Sequence, residues 1–276
     1  MDHGAVGRPV SGERDVHDLR KPSACGRSLT CRPLMTRVSG SISVVVPTFN
    51  RCRKLIRLLD SLDKLEGDYL KEVIVVDDSS KDDTPRAILG WIERHQGFAL
   101  TYLRMEVNAG PAIARNIGMR EATGELVAFT DDDCVAHPQW LVNLVRPLNV
   151  EKNIIGVGGA VLPMSGHVIA RYYTFHHILE PAPSMLYLVT ANCCYVRDLA
   201  LEAGGFDADL PMPGGEDVAL SFRLYKRGYR FVMACDAVVY HDYRKGIRDF
   251  YRTFVNYGKG CRYVTKKYFG SGGTAA

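Results

Sequence analysis

Val73-Ile74-Val75-Val76-Asp77-Asp78-Ser79-Ser80 is the stretch that decides the fold. Four β-branched aliphatic residues in a row, without apolar–polar alternation, predict a short strand buried on both faces. The run stops at two carboxylates. Upstream, Ser43-Val44-Val45-Val46-Pro47 has the same character and ends at Thr48-Phe49-Asn50. Between the two runs, Leu55, Ile56, Leu58, Leu59, Leu62 and Leu65 recur at helical spacing. Downstream, Thr84-Pro85 opens a helix to about Arg94, with proline in the first turn where its missing N–H costs nothing. Leu100 to Leu103 reads as a third strand. Pro111 to Ala122 reads as a helix closed by Thr123-Gly124, and Leu126-Val127-Ala128-Phe129 as a fourth strand ending at Thr130-Asp131-Asp132-Asp133.

The order is therefore β-α-β-α-β-α-β. Strands alternating with helices predict an α/β fold with a Rossmann-like, mostly parallel central sheet flanked by helices. Such sheets bind ligands beyond the carboxyl ends of their strands. The polar clusters at Thr48-Phe49-Asn50, Asp77-Asp78 and Asp131-Asp132-Asp133 each follow a strand, so they are expected to converge on one sheet edge. In the second half, Ile154 to Val161 and Leu186 to Val196 read as strands and Glu216 to Arg227 as a helix. No internal repeat is present.

With 276 residues, 46% hydrophobic and 24% charged, the chain can build one large core. A formal net charge of +4 is too mild to point to a nucleic-acid partner. The eight cysteines form no C-x-x-C pair and no zinc-finger spacing, which predicts reduced thiols. No apolar run reaches the roughly 18 residues of a membrane span, and no signal-peptide core is visible. The expected location is cytoplasmic, with peripheral attachment to the inner face of a membrane left open. Residues 1–40, rich in Gly, Arg, Pro and Ser, are expected to be a disordered extension. Met35 stands just before the first strand, which leaves two readings of where translation starts. A catalytic domain over 41–245 and an amphipathic helix with a tail over 246–276 complete the expected organisation.

Three adjacent carboxylates repel one another unless a cation sits among them. Oxygen ligands alone suit a hard divalent ion, Mn²⁺ or Mg²⁺, which can bridge two phosphates. A solvated acidic loop before Pro138 is the plainer alternative. On the repulsion argument, removing Asp133 is expected to leave stability unchanged or raised. Asp77-Asp78 either caps the next helix or accepts hydrogen bonds from a base or ribose. Gly110 to Asn116 starts a helix whose free N–H groups suit an anion, with Arg115 one turn in; a surface salt bridge is the alternative for Arg115. Gly214-Gly215-Glu216-Asp217 opens another helix, where carboxylates serve as caps or as a general base. His241, after Ala237-Val238-Val239-Tyr240, is either structural or a further metal ligand.

In order and spacing these clusters resemble family 2 glycosyltransferases of the GT-A fold. The matching stretches are Val44 to Arg51, Val73 to Ser80, Asn108 to Gly118, Asp131 to Asp133, Gly204 to Asp207, Glu216-Asp217 and His241, within about Ser41 to Gly260. The resemblance implies a nucleoside-diphosphate sugar donor, an inverting displacement at the anomeric carbon and a glycan, lipid-linked or small-molecule acceptor. It implies that Thr48 and Asp78 hold base and ribose, that Pro47 and Asn50 shape that loop, and that Arg115 helps hold the nucleotide. Asp131 would touch ribose or sugar and Asp133 the metal, with Asp132 a rival ligand because the D-x-D register is ambiguous. Asp217 would be the general base, supported by Glu216. Relatives with a similar Phe250 to Gly260 stretch often continue into membrane helices, whereas this chain stops soon after Gly270. No Gln-rich acceptor motif of processive synthases is present. Both features suggest a single-addition enzyme.

Three competing functions stand beside this one: transfer to a polyprenyl phosphate, which needs no general base; nucleotidyl transfer; and a nucleotide-sugar-binding module without catalysis. A last expectation concerns Ile247, Phe250, Tyr251, Phe254, Val255 and Gly258, an apolar stripe at helical spacing among basic residues. It either meets a membrane surface, leaving Phe250 and Phe254 exposed, or packs on the catalytic domain.

Overall fold

The computed structural model describes residues 40–149, 153–180, 186–210 and 214–270. The extension expected over residues 1–40 lies outside them except for Gly40, as do residues 271–276 of the tail.

The first half is a run of crossovers. Strand β1 (Ile42–Thr48) lies between β2 (Leu70–Asp77) and β4 (Leu126–Thr130), parallel to both, and β3 (Ala99–Arg104) adds in parallel beyond β2. Helices α1 (Cys52–Leu62), α2 (Thr84–Arg94) and α3 (Pro111–Glu121) make the connections. The continuous aliphatic runs are explained by burial: Val44, Val45 and Val46 are inaccessible, as are Val73 to Val76. Each such side chain contributes about 1.5–3 kcal/mol relative to exposure. Helix α3 lies close to the sheet because Gly118 has no Cβ; a methyl group there would collide with the Val45 side chain.

The second half folds back. A short β5 (Cys134–Ala136) and helix α4 (Trp140–Val145) precede β6 (Ile154–Pro163). Then come α5 (Val168–Phe175), β7 (Asn192–Val196), α6 (Arg197–Glu202), α7 (Glu216–Lys226), β8 (Arg230–His241) and α8 (Ile247–Val264). Among the described residues eight strands run in the order β3-β2-β1-β4-β7-β6-β8-β5. Strand β7 is antiparallel to β4 and β6, β8 is parallel to β6, and β5 is antiparallel to β8. The mostly parallel α/β sheet flanked by helices is thus present, and every antiparallel pair includes a strand of the second half. Trp140 anchors this half: its Nε1 donates to Asn192 Oδ1 at 2.7 Å, and Asn192 Nδ2 donates to the carbonyls of Ala160 and Ala237, both at 2.8 Å. That satisfies a buried amide which would otherwise cost about 1–3 kcal/mol.

Three elements differ from the sequence reading. The strand expected over Leu186 to Val196 starts only at Asn192, because its partner β4 ends at Thr130, which pairs with Asn192. Upstream the backbone turns, with Asn192 N–H donating to the Val189 carbonyl. Strand β5 was not foreseen; three residues carry no readable period. Strand β8 starts at Arg230, well before Ala237, and a register shift between Gly159 and Ala160 of its partner marks an irregularity within it. Among the described residues all six cysteines are free, and Cys134, Cys193 and Cys194 are buried as small apolar groups.

Helix α8 divides its stripe, with Ile247 and Tyr251 exposed and Phe250 and Phe254 turned inward. Phe250 and Phe254 are part-buried against Ile169, Ala170, Tyr173 and Tyr243, so this part of the stripe packs on the domain. At the other end of α8, Gly260 meets the backbone of Gly214, a contact with no room for a side chain. No helix among the described residues is long and apolar enough to cross a membrane.

Candidate active site

The carboxyl ends of β1, β2 and β4 open into a cavity of about 420 Å³, whose far wall is formed by α5, the Tyr243–Arg244 segment and α8. Pro47, Thr48, Asp78, Arg115, Asp131, Asp132, Asp133 and His241 all line it. The polar clusters that follow separate strands therefore meet at one place.

Each aspartate of the triplet has a different partner. Asp131 accepts from Arg115 Nη2 at 2.9 Å. Asp132 turns back under β1 and accepts from Thr48 Oγ1 at 2.8 Å and from Arg51 Nη1 at 2.7 Å. Asp133 accepts from the same Arg51 nitrogen at 2.8 Å through Oδ2, with Lys54 Nζ 3.7 Å away. Its other oxygen, Oδ1, faces His241 Nε2 at 3.3 Å. Burial and the Asp133 charge push Asp132 up to about 6 against the pull of Arg51. Burial also opposes ionisation of Asp133, but His241, Arg51 and Lys54 together hold it below the usual carboxylate range. The cation demanded by three neighbouring carboxylates is thus already supplied in part by Arg51, which the sequence analysis quoted but gave no role. Its motif position after Asn50 was the only signal. The expectation that losing Asp133 would be neutral or stabilising is reversed by these pairings.

Asp133 and His241 are brought together by strand pairing. β5 and β8 place Cys134 opposite His241, and Asp242 N–H donates to the Asp133 carbonyl at 2.9 Å. Asp133 Oδ1 and His241 Nδ1 are buried and have no hydrogen-bond partner among the described residues. A buried carboxylate oxygen without a donor, 3.3 Å from an imidazole nitrogen, fits two neighbouring positions on a divalent ion. Cys134 lies within reach of the same point, but burial keeps its thiol protonated, and sulfur is a poor ligand for a hard cation. Asp132, with both oxygens bonded to Thr48 and Arg51, is the weaker ligand candidate.

Asp78 is buried and fixes the opposite wall. Its carboxylate accepts from the N–H of Ala109 at 2.7 Å, the N–H of Gly110 at 2.8 Å and Asn108 Nδ2 at 2.9 Å. It thereby ties the end of β2 to the start of α3. Asp77 points away and accepts from Tyr102 OH and Ser80 N–H. Asn50 takes a positive φ of 54° and accepts from Lys81 N–H at 2.7 Å. It shapes the loop without lining the cavity.

Arg115 is buried between two acids, with Nη1 2.9 Å from Glu216 Oε1 and Nη2 2.9 Å from Asp131 Oδ1. Glu216 also accepts from Gly214 N–H at 2.6 Å. Gly214 and Gly215 have φ of 117° and 95°, a left-handed backbone that only glycine adopts without strain. Neither Glu216 nor Asp217 lines the cavity; Arg115 connects Glu216 to it. Burial and then the Glu216 charge push Asp217 up to about 7. The Gly204 to Asp207 motif proves to be a packing device: Asn116 on α3 exchanges two hydrogen bonds with the Phe206 backbone, at 2.8 and 2.7 Å.

The family model described as glycosyl transferase family 2 matches residues 43–198, more than half of the chain. The chain belongs to glycosyl transferase family 2. A second model, glycosyl transferase family group 2, matches residues 126–272. This family 2 chain is 30% identical over 228 residues to a pre-mycofactocin glycosyltransferase of Mycobacterium tuberculosis, covering 79% of this chain and 46% of that one. It is 28% identical over 221 residues to the glycosyltransferase AglE of Haloferax volcanii, covering 76% and 69%. The chain thus spans about half of the mycobacterial relative. Among solved structures it resembles the mannosyltransferase PcManGT of Pyrobaculum calidifontis, in complex with GDP-Man and Mn²⁺, with a TM-score of 0.70 and 25% identity over 93% of this chain and 70% of that one. Its fold also matches S. aureus TarS 1-349 in complex with UDP, with a TM-score of 0.58 and 22% identity over 80% and 65%. The fold is GT-A.

Proposed function

We propose that this protein transfers a sugar from a nucleoside-diphosphate donor to an acceptor hydroxyl, with inversion and with a divalent metal. The observation that carries the reading is the partnerless Asp133 Oδ1 facing His241 Nε2 at 3.3 Å, in the cavity that Thr48, Asp78 and Asp131 also line. Asp133 and His241 would hold Mn²⁺ or Mg²⁺, which supplies charge neutralisation to the departing diphosphate. Thr48, Asp78 and the loop shaped by Pro47 and Asn50 form the base and ribose end. Arg115 fixes Asp131 toward the ribose or sugar and carries charge near the phosphates. The acceptor oxygen bonds to the anomeric carbon as the bond from that carbon to the diphosphate oxygen breaks. The hydroxyl proton passes to Asp217, whose affinity near neutrality suits a general base. Glu216, held by Arg115, keeps that affinity high. The GDP-Man bound in the PcManGT structure supports a nucleotide-sugar site of this kind.

A panel of nucleotide sugars scored for nucleoside-diphosphate release, with Mn²⁺ and with chelator, tests the proposal. Metal-dependent release of a nucleoside diphosphate from at least one donor is expected. Pyrophosphate release would instead assign nucleotidyl transfer, and no turnover on any donor or acceptor would favour a binding module.

A second reading has its own observation. Asp217 lies off the cavity, whereas Arg244 and Arg252 line it beside Tyr173, Tyr243 and Phe250. Two cations among aromatic rings suit an acceptor that is anionic and partly apolar, such as a polyprenyl phosphate, which requires no base. Asp217→Asn separates the two: near-normal turnover favours the phosphate acceptor.

A further inference from the structure

Five of the eleven exposed large hydrophobic side chains among the described residues fall on two helices that touch. On α5 they are Val168, Tyr172 and Phe175, which recur at helical spacing on one face, and Val168 and Phe175 are 79% and 78% exposed. On α8 they are Ile247 and Tyr251, one turn apart and 74% and 71% exposed. Tyr172 joins the two sets: it is exposed, yet its ring packs edge-on against Phe250 of α8 at 5.2 Å. The buried face of this pair is already used, because Ile169, Tyr173, Phe250 and Phe254 pack inward. Packing on the catalytic domain therefore leaves this second, outward face unexplained. Leu89 on α2 and Val107 after β3 are also exposed, but neither lies on α5 or α8.

The charge around the outward face is predominantly positive. Arg171 on α5 and Arg244, Lys245, Arg248 and Arg252 at the start of α8 are all exposed, and Asp249 is the only acid in the segments 168–175 and 244–252. Aromatic and aliphatic side chains ringed by cations, on helices lying side by side, match the polar–apolar boundary of an anionic bilayer. Arg244 and Arg252 also line the cavity, and Arg244 Nη1 stands 4.0 Å from Asp249 Oδ1, so the charge of the outward face rests on Arg171, Lys245 and Arg248. Neither a purely apolar nor a neutral partner explains those three.

We propose that the outward face of α5 and the first turns of α8 docks on an anionic lipid surface, with Val168, Phe175, Ile247 and Tyr251 entering the headgroup–acyl boundary and Arg171, Lys245 and Arg248 pairing with lipid phosphates. Ile247 and Tyr251 belong to the stripe read from the sequence, whereas Val168 and Phe175 do not, and Phe250 and Phe254 of that stripe face inward. Arg244, Arg252 and Phe250 line the cavity wall nearest this face, so docking brings the acceptor end of the cavity to the membrane. The docking itself does not depend on the transferase reading.

The test is sedimentation of the full chain with vesicles of phosphatidylcholine alone and of phosphatidylcholine with phosphatidylglycerol, at low and high salt. The protein should pellet with the anionic vesicles at low salt and be released by high salt. Lys245→Gln with Arg248→Gln should weaken binding by roughly fivefold per cation. Phe175→Ser with Ile247→Ser should weaken it at least about tenfold, while the unfolding midpoint and donor hydrolysis stay at the parent values. A parent protein left in the supernatant with anionic vesicles at low salt overturns the proposal. So does binding that both double variants retain. Self-association in vesicle-free buffer, abolished by Phe175→Ser with Ile247→Ser, would assign the face to a second copy of the chain instead.

Discussion

Arg51 Nη1 sits 2.8 Å from Asp133 Oδ2, on the opposite side of that carboxylate from the oxygen that faces His241. One carboxylate is thus shared between a permanent internal cation and the position proposed for an exchangeable one. Removing Arg51 leaves Asp132 and Asp133 buried side by side with Lys54 3.7 Å away as the nearest cation to Asp133. Arg51→Gln should therefore cost about 3 kcal/mol in chelator. Mn²⁺ should restore part of that loss, and by more than it raises the parent protein. Thermal unfolding of both proteins with and without Mn²⁺ gives the answer; equal metal responses would show that Arg51 and the ion do not share a site.

Asp133→Ala and His241→Ala should separate in stability but agree in metal binding. Asp133→Ala strands Arg51 with one partner fewer and should lower the unfolding midpoint. His241→Ala removes a partly exposed ring and should lower it less. Both should weaken Mn²⁺ binding by at least about tenfold in calorimetric titration. Unchanged Mn²⁺ affinity in either variant would move the ion elsewhere.

The Asp217 carboxyl gives a pH signature with a definite sign. Its affinity in the fold, near pH 7, lies above the ordinary value of 3.8. Between these values the folded chain holds a proton that the unfolded chain has lost, so stability falls as pH rises from about 4 to 7. Asp217→Asn should flatten that part of the stability curve. If Asp217 is the base, turnover in the parent enzyme should rise with pH through about 7, and the variant should lose both this rise and most of its rate. Chemical denaturation across pH 4–8, alongside initial rates, tests both halves.

Arg115→Met should be among the most damaging single changes away from the metal position. It leaves Glu216 without its 2.9 Å partner and Asp131 without its own. A loss of about 3–5 kcal/mol is expected, since one side of a buried pair is removed. Adding Glu216→Gln should recover part of it, which a double-mutant cycle would measure.

The parts of this molecule that were legible in the sequence are those governed by local pattern. Strands β1, β2 and β4 are buried on both faces, so their composition alone marks them, and the carboxylates at their ends mark the rim of the cavity. What escaped was non-local. Arg51 meets partners more than eighty positions away, and no local period encodes that meeting. Strand β5 exists only because β8 lies beside it, and β7 starts where β4 provides a partner. Helix α8 announced an apolar stripe, but amphipathicity tells which side is apolar, not which neighbour covers it. The partner of Phe250 and Phe254 turned out to be α5, whose own outward face was invisible as a pattern because Arg171 interrupts it.

Among the described residues strand β5 has a single neighbour, β8, and holds it through three residue pairs at the rim of the sheet. Asp133 precedes that strand and His241 ends the other. An ion clasped by both would act as a rivet at this edge of the sheet, joining two points far apart along the chain. Fraying of that rim and escape of the ion would then be one event, and the residence time of the ion would report how often the last strand lifts away.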